Sequence, residues 1–528
     1  MGRKRVLHYY DGKLKGEFLS DEDCSTLDKV RQLSLKNGYV KDLKKCIYDL
    51  PPSDIELIKA SRDGDIVVDK NIGTLEDVQT CGVAFMFYAK RMVLGDSVGM
   101  GKTVELCGLF NLLTQKRAKE GYDFHFLYLT EKNLVSQTRD KLIQFTGEYV
   151  EAVYGDKKSI DNFLKEATST QMNVVASHSV VKSIPFQDYL VQNYKDFGTT
   201  TYDILVIDES AVLSNRKTQM YEAAKFLADM FEYVIILNAT PFEKNLSMYY
   251  NQIHFVDDTL LPTLTDFNKK YVEYDYRGPY PKPNGKYKHA DEFQNLVAYR
   301  YFARTRKSTG AVMKDCTAEV FISDLSPEQK ELLKRTSIPM MVYDCPSYFF
   351  RPGEFDMTIE NTPKLRDLLR IVSNLSDQGE SILIYSAYKE AQKAIQSLLF
   401  GYGIECYIMN GDTKIEEKNT LIDKFKANEI KVLITNVQKG LDFGHCNHCI
   451  FYSYDANPNK MVQFEGRMTR EYNIIDKHVY LLISRGRELN KFKSIVKDRA
   501  VASDMFAGSD FSCVLSLLLD QNKIDKLS

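Results

Sequence analysis

Three groups of residues in this chain have types and spacings suited to chemistry on a phosphate chain. The first is Gly99, Gly101, Lys102 and Thr103, closing the stretch RMVLGDSVGMGKT at 91–103. Glycines let backbone N–H groups close around an anion, and a helix N-terminus adds partial positive charge. Lys102 can then reach the β and γ phosphates while the Thr103 hydroxyl ligates Mg²⁺. The strict form of such a loop has glycine five residues before Gly101, where this chain has Asp96. The second group is Asp208-Glu209, which ends the run VIDES. Asp208 suits Mg²⁺ held through water, and Glu209 suits orienting and deprotonating the attacking water. The third is Arg467 and Arg470 in QFEGRMTR, three apart and so on one helix face. Two guanidiniums fit arginine fingers on a γ-phosphate, a role worth on the order of 10³ to 10⁵ in rate. Singly these groups read as a turn, a helix cap and surface ion-pair formers; together and in this order they point to ATP and Mg²⁺.

The elements that must position them follow from periodicity. Apolar, often β-branched runs recur at 91–94, 124–129, 173–176, 203–207 and 233–237, separated by helical patterns. Apolar on both faces, they read as buried parallel strands of an α/β sheet. Ligands of such sheets collect at the strands' carboxyl ends, which is where Lys102 and Asp208 fall. A second α/β series begins near Leu365, with strands at 382–385, 405–409, 432–435, 449–452 and 479–483 and no phosphate loop of its own. Between the series, 271–289 is dense in Tyr, Pro, Gly and Lys, and Arg300, Arg304, Arg306 and Lys307 follow. Basic residues interleaved with aromatics can track a phosphate backbone, and a solvated loop and helix fits the composition equally.

Composition narrows the class. The chain has 528 residues, 44% hydrophobic and 27% charged, with a formal charge of −2. That is globular, with room for about three domains. A near-neutral balance gives no global attraction to nucleic acid, so any binding needs a local groove. No run of 18 apolar residues and no secretory core follow Arg3-Lys4-Arg5. An intracellular protein without membrane contact is expected, in cytoplasm, nucleoid or, for a virus, the host cell; ten scattered cysteines suit reduced thiols. His445, Cys446, His448 and Cys449 have the residue types of a zinc site, but no second Cys or His pair lies near them. They read as a strand entry.

The ordered motifs resemble helicase superfamily 2, and within it the SWI/SNF-type branch of DNA translocases. DSVGMGKT resembles the branch's DEMGLGKT, including the acid at Asp96. LEDVQTCGVAF, 75–85, is similar to its Leu-x-x-Tyr-Gln-x-x-Gly-Val; DESAVLSN to its DEAHRIKN; LNATPFEKN to LTGTPIQNN. YSYDANPNKMVQFEGRMTR resembles the run that ends in Gly-Arg-x-x-Arg. Two departures stand out: Ala211 replaces a histidine, and TNVQKGLDF, 435–443, is shorter than the branch's form, its Asp442 resembling ordinary helicases.

The resemblance implies an α/β fold of two tandem RecA-like parallel-sheet lobes, with an N-terminal accessory region and an inter-motif insertion. The expected division is 1–70 accessory, 71–254 first lobe, 255–358 insertion and connection, 359–505 second lobe, and 506–528 tail. It also implies that Gln79 reads adenine and that Thr130, Asn133, Ser177, Ser386 and Thr435 contact nucleic acid from loops after strands. The implied activity is a DNA-dependent ATPase that translocates on double-stranded DNA. A strand-separating or branch-migrating helicase is the alternative, with 271–289 as a candidate wedge. From another class comes a nucleotide-switched binding factor for a polymerase or recombination complex. A protein partner through the N-terminal region, and a monomer or partner-recruited state, complete the expectations.

Overall fold

In the computed structural model, the described residues are 66–68, 71–73, 75, 77–96, 100–167, 172–197, 202–238, 246–276, 282–304, 316–351, 353–437, 443, 445–453, 464 and 476–493. The chain forms two units that meet in sequence between Ala311 and Val312. In the first, seven parallel strands build one sheet: β1 Arg91–Leu94, β2 Phe126–Thr130, β3 Val150–Val153, β4 Asn173–Ser177, β5 Ile204–Asp208, β6 Tyr233–Leu237 and β7 Tyr301–Phe302. Their spatial order is β7-β1-β6-β5-β2-β4-β3. β1, β2, β4 and β6 are buried along their whole length, as expected of strands covered on both faces. This order sets the carboxyl ends of β1, β6, β5 and β2 side by side, and they carry Asp96, Asn238, Asp208 and Thr130.

Two helices cover the β1 region. α1, Asp77–Ala89, is buried through Gln79–Ala89 and packs among the sheet's apolar side chains. α2, Lys102–Glu120, buries Leu106, Leu109, Phe110 and Leu113, the i, i+3, i+4, i+7 stripe of an amphipathic helix. Left-handed glycines bound it: Gly101 at φ 86° and Gly121 at φ 82°.

The second unit has six parallel strands: β8 Cys316–Ser323, β9 Ile382–Tyr385, β10 Tyr407–Met409, β11 Val432–Thr435, β12 His448–Phe451 and β13 Lys477–Ser484. They lie in the order β8-β13-β12-β9-β11-β10. Its interior holds an ion triad: Lys364 Nζ donates to Asp344 Oδ1 at 2.6 Å, to Glu488 Oε1 at 2.8 Å and to the Tyr452 carbonyl at 3.1 Å, all buried. The triad gathers the ends of β12 and β13, where Ser484 N also donates to Glu488 Oε2 at 2.7 Å.

Both sheets use the stretch 255–358, since Tyr301–Phe302 pairs with β1 and Cys316–Ser323 pairs with β13. Three strands of the two parallel sheets are absent from the periodicity. Val150–Val153 is interrupted by Glu151, Tyr301–Phe302 is only two residues, and Cys316–Ser323 is an edge strand with Thr317 and Glu319 exposed. Residues 272–275 and 282–287 form an antiparallel hairpin with a register shift between Pro283 and Tyr287. The basic array expected after it is corrected at two positions. Arg300 and Arg304 are buried, and Arg300 donates to Asp257 Oδ2 and to the Ala89 carbonyl, both at 2.9 Å. A guanidinium spent inside the fold is closed to a phosphate backbone.

Candidate nucleotide site

β1 ends at Leu94 and the chain leaves the sheet through Gly95 and Asp96; Gly99 lies outside the described residues. Gly101 caps α2 in the left-handed region, so the first amides of the helix, from Lys102 and Thr103 on, face the sheet's carboxyl edge. A Cβ on Gly101 would meet Gln79 Nε2 at 2.6 Å, so α1 lays the Gln79 amide directly on the loop. Sequence spacing alone put Gln79 more than twenty residues from Lys102; the α1–α2 packing joins them.

Lys102 Nζ donates to the Asp96 carbonyl at 2.6 Å. Burial pulls the ammonium's pKa below its ordinary value, against the opposing pull of Asp96, Asp208, Glu105 and Glu209. An ammonium whose charge is costly where it sits, ringed by acids, is poised for an anionic partner.

Asp208 is the last residue of β5. Burial, reinforced by Glu209, pushes its carboxyl up to about 6. Tyr128 Oη donates to Asp208 Oδ2 at 3.0 Å from the neighbouring strand, and Glu209 N donates to Oδ1 at 3.0 Å. Glu209 has φ 57°, a conformation uncommon outside glycine, and it turns the chain sharply off the strand. The donor set of one ammonium, one hydroxyl, two carboxylates and a helix N-terminus fits magnesium and a nucleoside triphosphate, with Thr103 and Asp208 as the metal's candidates.

One contact here comes from outside the acidic motif. His178 Nε2 lies 2.7 Å from the Asp208 carbonyl, so an imidazole reaches the acidic motif from the turn after β4. The motif's own fourth position is Ala211, so the imidazole beside the acidic motif comes from another strand end.

Of the strand-contact candidates, Thr130, Ser177, Ser386 and Thr435 are buried and Asn133 is exposed. Ser177 Oγ donates to the Tyr154 carbonyl at 2.9 Å, and Thr435 Oγ1 accepts from Val437 N at 2.9 Å. Those two hydroxyls shape loop ends, and Asn133 alone of the five presents its side chain outward. Arg467 and Arg470 lie outside the described residues; Phe464, in the same motif, is buried against Tyr385 and Phe451 in the second unit. Cys446 Sγ lies 3.2 Å from the Ser381 and His448 carbonyls, and burial pushes its thiol up to about 12, the setting of a packed core cysteine. No helix among the described residues is long and apolar enough to cross a membrane.

Comparison with known proteins adds the following. Residues 78–378 match the SNF2-related domain, and 363–471 match the helicase conserved C-terminal domain. YwqA of Bacillus subtilis, named as an ATP-dependent helicase/translocase, is 22% identical over 83% of this chain and 49% of its own length. The ATP-dependent helicase YqhH of the same organism is 23% identical over 75% of this chain and 72% of its own. A solved Sulfolobus solfataricus SWI2/SNF2 ATPase core in complex with dsDNA is 18% identical, with TM-score 0.39, covering 87% of this chain and 97% of that one. The chain spans about half the length of YwqA.

Proposed function

This chain belongs to the SNF2-related family, and from that premise we propose that it is an ATP-hydrolysing motor that translocates on double-stranded DNA. The observation that carries the ATP half is the convergence of Gln79, Lys102 and Asp208 at one sheet edge, from α1, α2 and β5. In this reading Gln79 holds the base, the α2 N-terminus and Lys102 bind the phosphates, and Thr103 and Asp208 hold Mg²⁺. When bound, Mg²⁺ neutralises phosphate charge. Glu209, set off the strand by its left-handed backbone, orients the attacking water and takes its proton. Tyr128 keeps Asp208 ionised by donating to it. To Arg467 and Arg470 this reading gives the role of arginine fingers on the γ-phosphate. Closing two RecA-like lobes on ATP and opening them after hydrolysis advances the pair along a strand. Of the five strand-contact candidates, Asn133, exposed after β2, is the one assigned to touch that strand.

The test is steady-state ATPase rate against duplex DNA of increasing length, single-stranded DNA and RNA at one low salt concentration, because backbone binding depends steeply on salt. Stimulation by duplex that grows with length and then levels supports translocation. Stimulation chiefly by single strands or forks would replace it with strand separation. A flat response to all three would point to a protein-activated switch.

A further inference from the structure

Beneath the loop lies a buried charge cluster that the chemistry above does not use. Asp96, Glu105 and Arg304 are fully buried. Arg304 Nε donates to Asp96 Oδ2 at 3.1 Å, Nη2 bonds the same carboxylate, and the Arg304 backbone N donates to Oδ1 at 2.8 Å. The same Nη2 donates to Glu105 Oε1 at 2.6 Å. Asp96 begins the loop and Glu105 lies in the first turn of α2, so one guanidinium ties together both ends of the phosphate loop. The Arg304 guanidinium also lies over the Phe302 ring, 4.9 Å from its centroid.

We propose that Arg304 is a positioning residue for the nucleotide loop: it fixes Asp96, and through the Asp96 carbonyl it places the Lys102 ammonium. The inference rests on the nucleotide reading of Lys102. Three observations support it. Asp96 is bonded to Arg304 through its carboxylate and to Lys102 through its carbonyl, so a shift of Asp96 carries the lysine's acceptor with it. The cluster is expensive, since two buried carboxyl groups share one guanidinium and Glu105 Oε2 has no hydrogen-bond partner. Replacing a buried ion triad by apolar residues of like volume is often neutral or stabilising, so stability alone is a weak reason for the triad. Finally, α1 is shaped around it: a Cβ on Gly82 would lie 2.3 Å from Glu105 Oε2 and 2.9 Å from Arg304 Nη2. Gly82 belongs to the same motif as Gln79, so the residue that meets Gly101 and the residue that admits the cluster share one helical turn. Arg304 follows the edge strand β7, so the loop's geometry is tied to the end of that strand.

The experiment pairs binding with hydrogen exchange on the full chain. Arg304→Lys keeps the charge but cannot fork across two carboxylates. It should fold and bind the fluorescent analogue mant-ATP about tenfold more weakly, the equivalent of one charge-assisted hydrogen bond. Glu105→Gln keeps the Arg304–Asp96 fork and should bind within about threefold of the natural chain. In the unsubstituted protein, ATPγS should slow exchange of the Arg304 amide, whose acceptor is Asp96. Lysine at 304 with unchanged affinity overturns the proposal, as does an Arg304 amide indifferent to bound nucleotide. Should Arg304→Lys fail to fold, the exchange measurement decides alone. No binding of mant-ATP by the unsubstituted chain would overturn the nucleotide reading itself, and the inference with it.

Discussion

The Tyr128 hydroxyl donates to Asp208 Oδ2 at 3.0 Å, across two adjacent parallel strands. That contact opposes the burial that pushes Asp208 up to about 6. Tyr128→Phe removes a donor to the charged form and nothing else of comparable size, so the Asp208 pKa should rise further. The pH profile of kcat/KM should then show its acid limb moved to higher pH, with a rate loss at neutral pH of about tenfold, one hydrogen bond to a charged group. An acid limb that stays in place would remove Asp208 from the chemistry.

Gly101 and Gly121 share a left-handed backbone at the two ends of α2, yet their surroundings differ. At Gly101 an added Cβ would strike Gln79 Nε2 at 2.6 Å; at Gly121 it meets nothing within 4 Å. Gly121→Ala should cost about 1 kcal/mol of stability and leave turnover intact. Gly101→Ala should lose nucleotide affinity as well, because Gln79 must move. Equal affinities in the two variants, by titration with mant-ATP, would contradict the placement of Gln79.

Lys102→Ala and Arg467→Ala should each abolish steady-state hydrolysis while circular dichroism and melting remain those of the natural protein. Lys102→Ala removes an ammonium already costly to bury, so its fold should not suffer. Retained turnover in either variant would remove that residue from the site.

Stability should depend on pH through Glu105. Burial raises its carboxyl from the ordinary 4.5 to about 8, so between these values the folded state holds a proton that the unfolded state releases. Stability is therefore fully present below about 4.5 and falls as pH rises toward about 8. Denaturant titrations at pH 5, 6.5 and 8 should show this decline, and Glu105→Gln should reduce it, leaving the part that Asp208 and Glu488, also raised by burial, contribute.

In the second unit, Lys364→Met would leave the Asp344 and Glu488 carboxylates buried without their cation. The cost should be about 3–5 kcal/mol, read as a lowered melting transition. Lys364→Met with Asp344→Asn and Glu488→Gln should recover part of it.

The local chemistry and the secondary structure beneath it are legible from the order of residues. Gly-Lys-Thr after an apolar run fixes a loop, and VIDES fixes two acids at a strand's end, because each depends only on near neighbours and on the 2.0 and 3.6 residue periods. Parallel strands buried on both faces declare themselves by unbroken apolar runs, while two-residue β7 and alternating β8 do not. Partners across long separations come from the folded chain. Arg304 meets Asp96 across 208 residues, and His178 meets the Asp208 carbonyl across 30. An arginine at helical spacing reads the same in sequence whether water or a carboxylate receives it, so Arg300 and Arg304 looked like a surface array. Burial told the two cases apart: desolvating a guanidinium demands a specific acceptor, and only the fold supplies one.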